Sequence, residues 1–288
     1  DPAFWSGKSV FVTGHTGFKG GWLCHWLALM GAHVHGFALD PDTSPSMFHV
    51  ADVGSTLSTD ARGDIADLMT LSRELTSAKP DVVIHMAAQP LVRRGYAHPT
   101  ETWQTNVTGT VNVLEAVRSI LTVKSVIIVT TDKVYQNQEW VFPYREGDRL
   151  GGLDPYSASK AAAELVAASY RHVFLNDECS DVPSIVTARA GNVVGGGDWS
   201  EDRLIPDIFR ALECGSPIRL RRPESTRPWQ HVLEPLAGYL VLAELLQESG
   251  DSPLPGEWNF GPYPESEVAV VDVAAAVAEH MGMGTWSI

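Results

Sequence analysis

The sequence predicts an α/β protein, a doubly wound parallel sheet with a smaller lobe at its C-terminal end. Three observations carry this. Short, unbroken apolar runs recur along the chain, most are followed by a stretch of helical periodicity, and the first run ends in a glycine-rich turn. Unbroken apolar strands are buried on both faces, and strands separated by helices pair in parallel. Helices on both sides of one sheet satisfy both conditions.

Taken in order, strands are expected at Ser9–Thr13, 34–39, just before Asp64, 82–86, 125–130 and Ser184–Ala190. Helices are expected at about 19–30, 66–77, 100–119 and 155–173. The last of these has a marked start, because Asp154 can cap it and Pro155 suits the first helical position. After Asn192 the texture changes: Gly195, Gly196 and Gly197 stand in a row, prolines are more frequent, and arginines crowd between Arg219 and Arg227. The expected division is therefore residues 1–191 and residues 192–288, the second part interleaved with the first, with a helix at 232–246 returning to the main sheet. The chain begins without Met and stops soon after a helical stretch, so trimming at one or both ends is expected.

The 288 residues are 44% hydrophobic and 19% charged, enough apolar chain for a sizeable core. The net charge of −14 repels nucleic acid and anionic membranes in bulk, so neither is an expected partner. The most hydrophobic stretch, 22–32, contains His25 and falls well short of the ~20 residues that span a bilayer. Cys24, Cys179 and Cys214 form no C-x-x-C pair and leave one unpaired, which suits a reducing cytoplasm. His33 and His35 alternate along a strand and Cys24-His25 has no partner at ligand spacing, so no metal site is expected.

The first strand runs into Gly14-His15-Thr16-Gly17-Phe18-Lys19-Gly20, a G-x-x-G-x-x-G turn that opens a helix. Such a turn lets backbone approach a pyrophosphate, whose charge rests on the free N–H groups of the helix. Gly14, Thr16, Gly17, Phe18 and Gly20 are thus candidate dinucleotide contacts. Asp40 closes the second strand, where a carboxylate accepts ribose hydroxyls and repels a 2′-phosphate. Asp40-Pro41-Asp42 supplies no basic residue, so NAD is expected rather than NADP. Asp64 and Ile65 are placed to hold the adenine, or Asp64 is simply a cap. Ala87 and Ala88 are small enough for a cofactor to cross the strand ends, or are small for packing alone.

Tyr156 and Lys160 lie one helical turn apart on one face. An ammonium beside a phenol lowers its pKa, and a tyrosinate so formed accepts a hydroxyl proton during oxidation. The pair resembles the active-site pair of the short-chain dehydrogenase/reductase superfamily, in its extended branch acting on sugar nucleotides. Thr131-Asp132-Lys133, at the end of the fifth strand, resembles the signature of nucleotide-sugar 4,6-dehydratases. With Asp148 to Lys160, Ala190 to Trp199 and Arg227 to Val232, the likeness extends to the CDP-glucose-specific group of that family.

This resemblance implies a Rossmann-type doubly wound parallel sheet with a C-terminal substrate-binding lobe, NAD as cofactor, a nucleotide-sugar substrate and a homodimer built on two long helices. It implies that Tyr156 takes the C4 hydroxyl proton, that Thr131 hydrogen-bonds the C4 oxygen, that Lys133 is the C5 base and that Asp132 is the acid at the C6 hydroxyl. Lys133 acts as a base only if its ammonium is destabilised; otherwise its role is electrostatic. Asp132 acts as an acid only in a dry pocket. Asn106, facing inward from the long helix, is placed on the substrate side, ordering the site's polar network. Asn192 and Arg227 are implied at the diphosphate, Arg219 near the nucleotide, and His231 at the substrate. Arg221 or Arg222 is expected in surface ion pairs. A 4-epimerase, a dehydratase of another nucleotide sugar and a non-catalytic NAD-sensing protein are the competing functions.

Overall fold

A computed structural model describes residues 1–175, 183–248, 254–282 and 286–287; Cys179 lies outside them. Among the described residues, seven parallel strands form the main sheet. Six are β1 (Ser9–Thr13), β2 (His33–Ala38), β3 (Thr59–Arg62), β4 (Val82–His85), β5 (Ser125–Thr131) and β6 (Ser184–Ala190). The seventh, Glu257–Phe260, pairs with β6 at one edge, and the order is that strand, then β6-β5-β4-β1-β2-β3. The chain leaves β1 for β2 on one side and returns to β4 on the other, so a crevice opens beyond the carboxyl ends of β1 and β4.

Alternate residues of each central strand feed two cores. Val10, Val12, Val82, Ile84, Ile127 and Val186 face the helices Phe18–Leu29 and Leu233–Glu248. Phe11, Val83, Val126, Ile128 and Ile185 face the helices Leu68–Ala78, Gly109–Val117 and Pro155–Leu175. Burial on both faces explains the unbroken apolar strands. The helix expected at 232–246 does return to the main sheet, with Leu236, Tyr239 and Leu240 in its core.

Three features differ from expectation. β3 reads Thr-Asp-Ala-Arg and is largely exposed, because an edge strand has only one neighbour to bury against. The edge strand Glu257–Phe260 was not foreseen, since Glu257 and Asn259 break its apolar run. The helix expected at 100–119 is three consecutive pieces, Pro99–Trp103, a π-helical turn Gln104–Thr108, and Gly109–Val117, preceded by a short helix Val92–Ala97.

Beyond residue 192, Val193–Val194 pairs with Gln230–His231, Thr226–Pro228 with Glu267–Ala269, and Ile218–Arg219 with Trp286–Ser287. The helices Leu204–Glu213 and Val270–Met281 enclose a small core of Ile208, Leu212, Ile218, Leu220 and Ala274. Among the described residues no helix is long and apolar enough to cross a membrane.

Candidate active site

The glycine-rich turn lies at the crevice. Gly14 has φ +79°, and a Cβ there would stand 2.7 Å from the Ala87 backbone nitrogen. A Cβ on Gly20 would stand 2.2 Å from Gly14 O. Gly17 caps the helix Phe18–Leu29 without a side-chain bond, which leaves the first N–H groups of that helix free for an anion. Thr16 Oγ1 donates to Leu39 O at 2.9 Å and ties the turn to the end of β2. Thr13 Oγ1 accepts from the Met86 and Ala87 nitrogens, each at 3.1 Å, and so holds the start of the loop after β4 against β1. Backbone cradle, free helix N-terminus and an exposed Asp40 carboxylate together fit a dinucleotide.

Two expectations about the cofactor end need correction. Arg62, at the end of β3, donates to Asp40 Oδ1 at 3.0 Å and also pairs with Asp60 and His15. A basic residue therefore does stand beside Asp40, supplied by the neighbouring strand and invisible in the local sequence. Ile65 is a core residue whose side chain packs under Gly109 and whose carbonyl accepts from Asn112 at 2.9 Å, so its side chain is not offered to a ligand. Asp64 Oδ1 accepts from Ala66 N at 2.9 Å and closes the turn before the helix, whose cap is Asp67.

Tyr156 and Lys160 open the helix Pro155–Leu175, which Asp154 caps through Ser157 N at 3.0 Å and Ser157 Oγ at 2.6 Å. Both side chains are buried. Burial pushes the Tyr156 phenol up; the Lys133 ammonium, a hydrogen bond from Thr131 and the Arg203 guanidinium pull it down. Lys160 was expected to be the lowering cation. Its Nζ instead donates to Val129 O at 3.1 Å, and burial brings its own pKa down to about 8.

β5 ends in the rest of the group. Thr131 Oγ1 donates to Asp132 Oδ1 at 2.9 Å and accepts from Lys133 N at 3.3 Å. Lys133 Nζ lies 3.6 Å from Asp132 Oδ1, with side chains 43% and 39% exposed respectively. The dry pocket expected around Asp132 is thus absent from this state of the protein, and an ion pair stands there instead. Gly191 flanks the pair, since a Cβ there would lie 3.1 Å from Asp132 Oδ2 and 3.2 Å from Pro228 Cγ.

Asn106, expected on the substrate side, is buried within the protein. Its Oδ1 accepts from Gln89 N at 2.8 Å, and its Nδ2 donates to Gln89 O at 3.2 Å and Ser159 Oγ at 2.9 Å. It is a positioning residue that ties the loop after β4 to the helix bearing Tyr156. On the substrate side, the buried Asn192 Oδ1 has no hydrogen-bond partner, an acceptor available to a ligand. Arg227 is exposed on the strand that abuts Gly191. His231 packs edge-on against Trp22, and its Nδ1 accepts from Leu233 N at 3.3 Å. Arg219 is exposed in the lobe, apart from the Thr131–Tyr156 contacts, and makes no ion pair among the described residues. Arg221 pairs with Asp202 at 3.2 Å, as expected of a surface arginine.

Two residues near the centre escaped the sequence reading. Lys19, inside the glycine-rich turn, donates to Tyr239 OH at 3.0 Å, and burial with Arg203 and Lys160 nearby brings its pKa down to about 7. Arg203 pairs with Asp198 at 3.6 Å and acts on both Lys19 and Tyr156. A lysine within such a turn was the available signal for the first; the second comes from the lobe and carried none.

Residues 10–261 match the NAD dependent epimerase/dehydratase family. Over 272 residues, 94% of this chain and 75% of the relative, the sequence is 50% identical to the CDP-glucose 4,6-dehydratase of Salmonella typhimurium. It is 32% identical to the GDP-mannose 4,6-dehydratase of Sordaria araneosa, over 82% of this chain and 43% of that one. The fold is similar to that of the dTDP-glucose 4,6-dehydratase of Streptomyces venezuelae solved with NAD, with TM-score 0.77 and 26% identity over 95% of this chain and 81% of that one.

Proposed function

The chain belongs to the NAD dependent epimerase/dehydratase family, and on that premise we propose that it removes water from CDP-glucose to give the 4-keto-6-deoxy sugar. The observation that carries this is the joining of Asp132, Lys133 and the buried Tyr156 around one hydroxyl, that of Thr131. An epimerase has no use for an acid and a base beyond the C4 pair.

NAD, bound by the glycine-rich turn and Asp40, would supply the acceptor for the C4 hydrogen and return it at C6. Tyr156 accepts the C4 hydroxyl proton, favoured by the charges of Lys133 and Arg203. Asp132 and Lys133 then need the reverse of their ion pair, a proton on Asp132 Oδ and a lone pair on Lys133 Nζ. Transfer of one proton between them produces it with no change in total charge, and expelling water as substrate closes over the pair favours the neutral form. Lys133 takes the C5 proton, and Asp132 protonates the departing C6 hydroxyl. Arg227, exposed beside Gly191, would meet the diphosphate with its guanidinium and Asn192 with its amide N–H, while the orphan Asn192 Oδ1 is left to accept from a hydroxyl of the substrate.

The same reading includes a homodimer and a cytoplasmic location. The first is supported by exposed apolar side chains on two adjacent helices, and the second by free cysteines at Cys24 and Cys214. The test is mass spectrometry of CDP-glucose, UDP-glucose, dTDP-glucose and GDP-mannose, each incubated with protein and NAD. Loss of one water from CDP-glucose alone is expected; loss from another nucleotide overturns the substrate, and an isomer of unchanged mass overturns the reaction. In Asp132→Asn, nicotinamide reduction should persist while water loss ceases; dehydration at the wild-type rate would remove Asp132 from the role of acid.

A further inference from the structure

A cation stands where the cofactor site was expected to present only a carboxylate. β2 and β3 pair with Ala38 opposite Arg62, and Asp40 follows two residues past that register. Arg62 Nε thus reaches across to Asp40 Oδ1 at 3.0 Å. The Asp40 side chain is 86% exposed, whereas Arg62 is held from three further directions. Its NH1 and NH2 donate to the two carboxylate oxygens of Asp60, its guanidinium lies 4.8 Å over the buried Phe48 ring, and NH1 stands 2.9 Å from His15 Nε2.

The charges in this cluster decide what it can hold. Burial keeps the His15 ring's pKa below its ordinary range, so at neutral pH that ring adds no charge. One guanidinium faces two carboxylates, and the surplus negative charge is repulsive to a phosphate on the ribose 2′-oxygen. Without the Asp40 carboxylate, a neutral Arg62–Asp60 pair would remain and Arg62 Nε would lose its acceptor. A guanidinium with a free N–H is the side chain best matched to a phosphate oxygen.

We propose that Arg62 is a specificity-determining residue of the dinucleotide site: it leaves discrimination against a 2′-phosphate to Asp40 alone, and with that carboxylate gone it binds the phosphate through Nε. Asp60 and Phe48 hold the guanidinium independently of Asp40, so the phosphate site is already built. This rests on the glycine-rich turn and Asp40 as the cofactor's site and is independent of the reaction catalysed there.

The experiment is calorimetric titration of NAD and of NADP into nucleotide-free wild type, Asp40→Ala, Asp40→Ala/Arg62→Lys and Asp40→Ala/Arg62→Gln, with a thermal melt of each. Wild type should prefer NAD. Asp40→Ala should weaken NAD, which loses an acceptor for its ribose, and tighten NADP by about tenfold to a hundredfold. Adding Arg62→Gln should return NADP affinity to the wild-type level or below and leave NAD where Asp40→Ala put it. Adding Arg62→Lys, which keeps the charge, should retain part of the gain. NADP binding to Asp40→Ala should also fall more steeply with added KCl than NAD binding does. The lysine variant and the salt dependence carry the test even where the melt shows Arg62→Gln unfolded. NADP bound no more tightly by Asp40→Ala than by wild type would overturn the proposal. So would equal losses of NAD and NADP on adding Arg62→Gln, the mark of a purely structural arginine. A wild type that binds neither dinucleotide would instead overturn the cofactor reading beneath it, and the proposal with it.

Discussion

His85 stands at the end of β4 with Nδ1 2.7 Å from Thr13 Oγ1 and Nε2 3.2 Å from Thr110 Oγ1. Burial, with the Lys160 charge nearby, takes its pKa down to about 3. Above the ordinary histidine range it is neutral folded or unfolded. As pH falls below about 6.5 the unfolded chain takes up a proton that the folded one refuses until about pH 3, so stability is lost across that window. The full effect is on the order of 5 kcal/mol. Urea unfolding at pH 7 and pH 4 should show that His85→Gln is less stable than wild type at pH 7 but loses less on acidification. A residual slope remains, because burial lowers His15 and His35 as well. An unchanged slope would remove His85 from the acid response. Sequence spacing alone found Tyr156 and Lys160, because four positions on one helix fix their relation. It could not find the ordering of cations around the phenol, since Arg203 arrives from another element and Lys160 is turned away by a carbonyl of β5.

Elements were legible in proportion to how much of their pattern is local. β1, β2, β4, β5 and β6 declared themselves through burial on both faces, while β3 and Glu257–Phe260 owe their strand state to a neighbour. The π-helical turn Gln104–Thr108 sits where Asn106 bonds to Gln89 and Ser159, contacts that no periodicity encodes. The glycine-rich turn lies between these extremes, and its glycines are distinguishable by experiment. Gly20→Ala would place a Cβ 2.2 Å from Gly14 O and 2.8 Å from His15 Cα, both backbone atoms that cannot yield cheaply. It should lose about 1–3 kcal/mol of stability and its NAD affinity together. Gly17→Ala meets only Gly14 O, at 3.4 Å, with an ordinary φ of −76°, so its melting temperature should hold while NAD affinity, read by fluorescence titration, falls through crowding of the anion. Equal thermal losses in the two variants would refute this division.

At the scale of the whole molecule, the residues brought around Tyr156 come from one chain, but the helix that carries it has an uncovered side. Leu165 and Val173, eight positions apart on Pro155–Leu175, are 64% and 48% exposed, and Trp103, on the adjoining Pro99–Trp103, is 41% exposed. A two-fold contact is isologous, so these two helices from each of two copies would pair as a four-helix face, and any substitution there enters twice. Leu165→Glu therefore places two carboxylates at or near one axis, where burial and like charge act together against association. Sedimentation velocity should show wild type as a dimer and Leu165→Glu as a monomer, with helical content by circular dichroism unchanged. The variant should still bind NAD, since the glycine-rich turn and Asp40 lie on other elements, while turnover falls as the Tyr156 helix loses its outer support. A wild type that sediments as a monomer at micromolar concentration, or a Leu165→Glu protein that remains dimeric, would place the interface elsewhere and leave that apolar side unexplained by self-association.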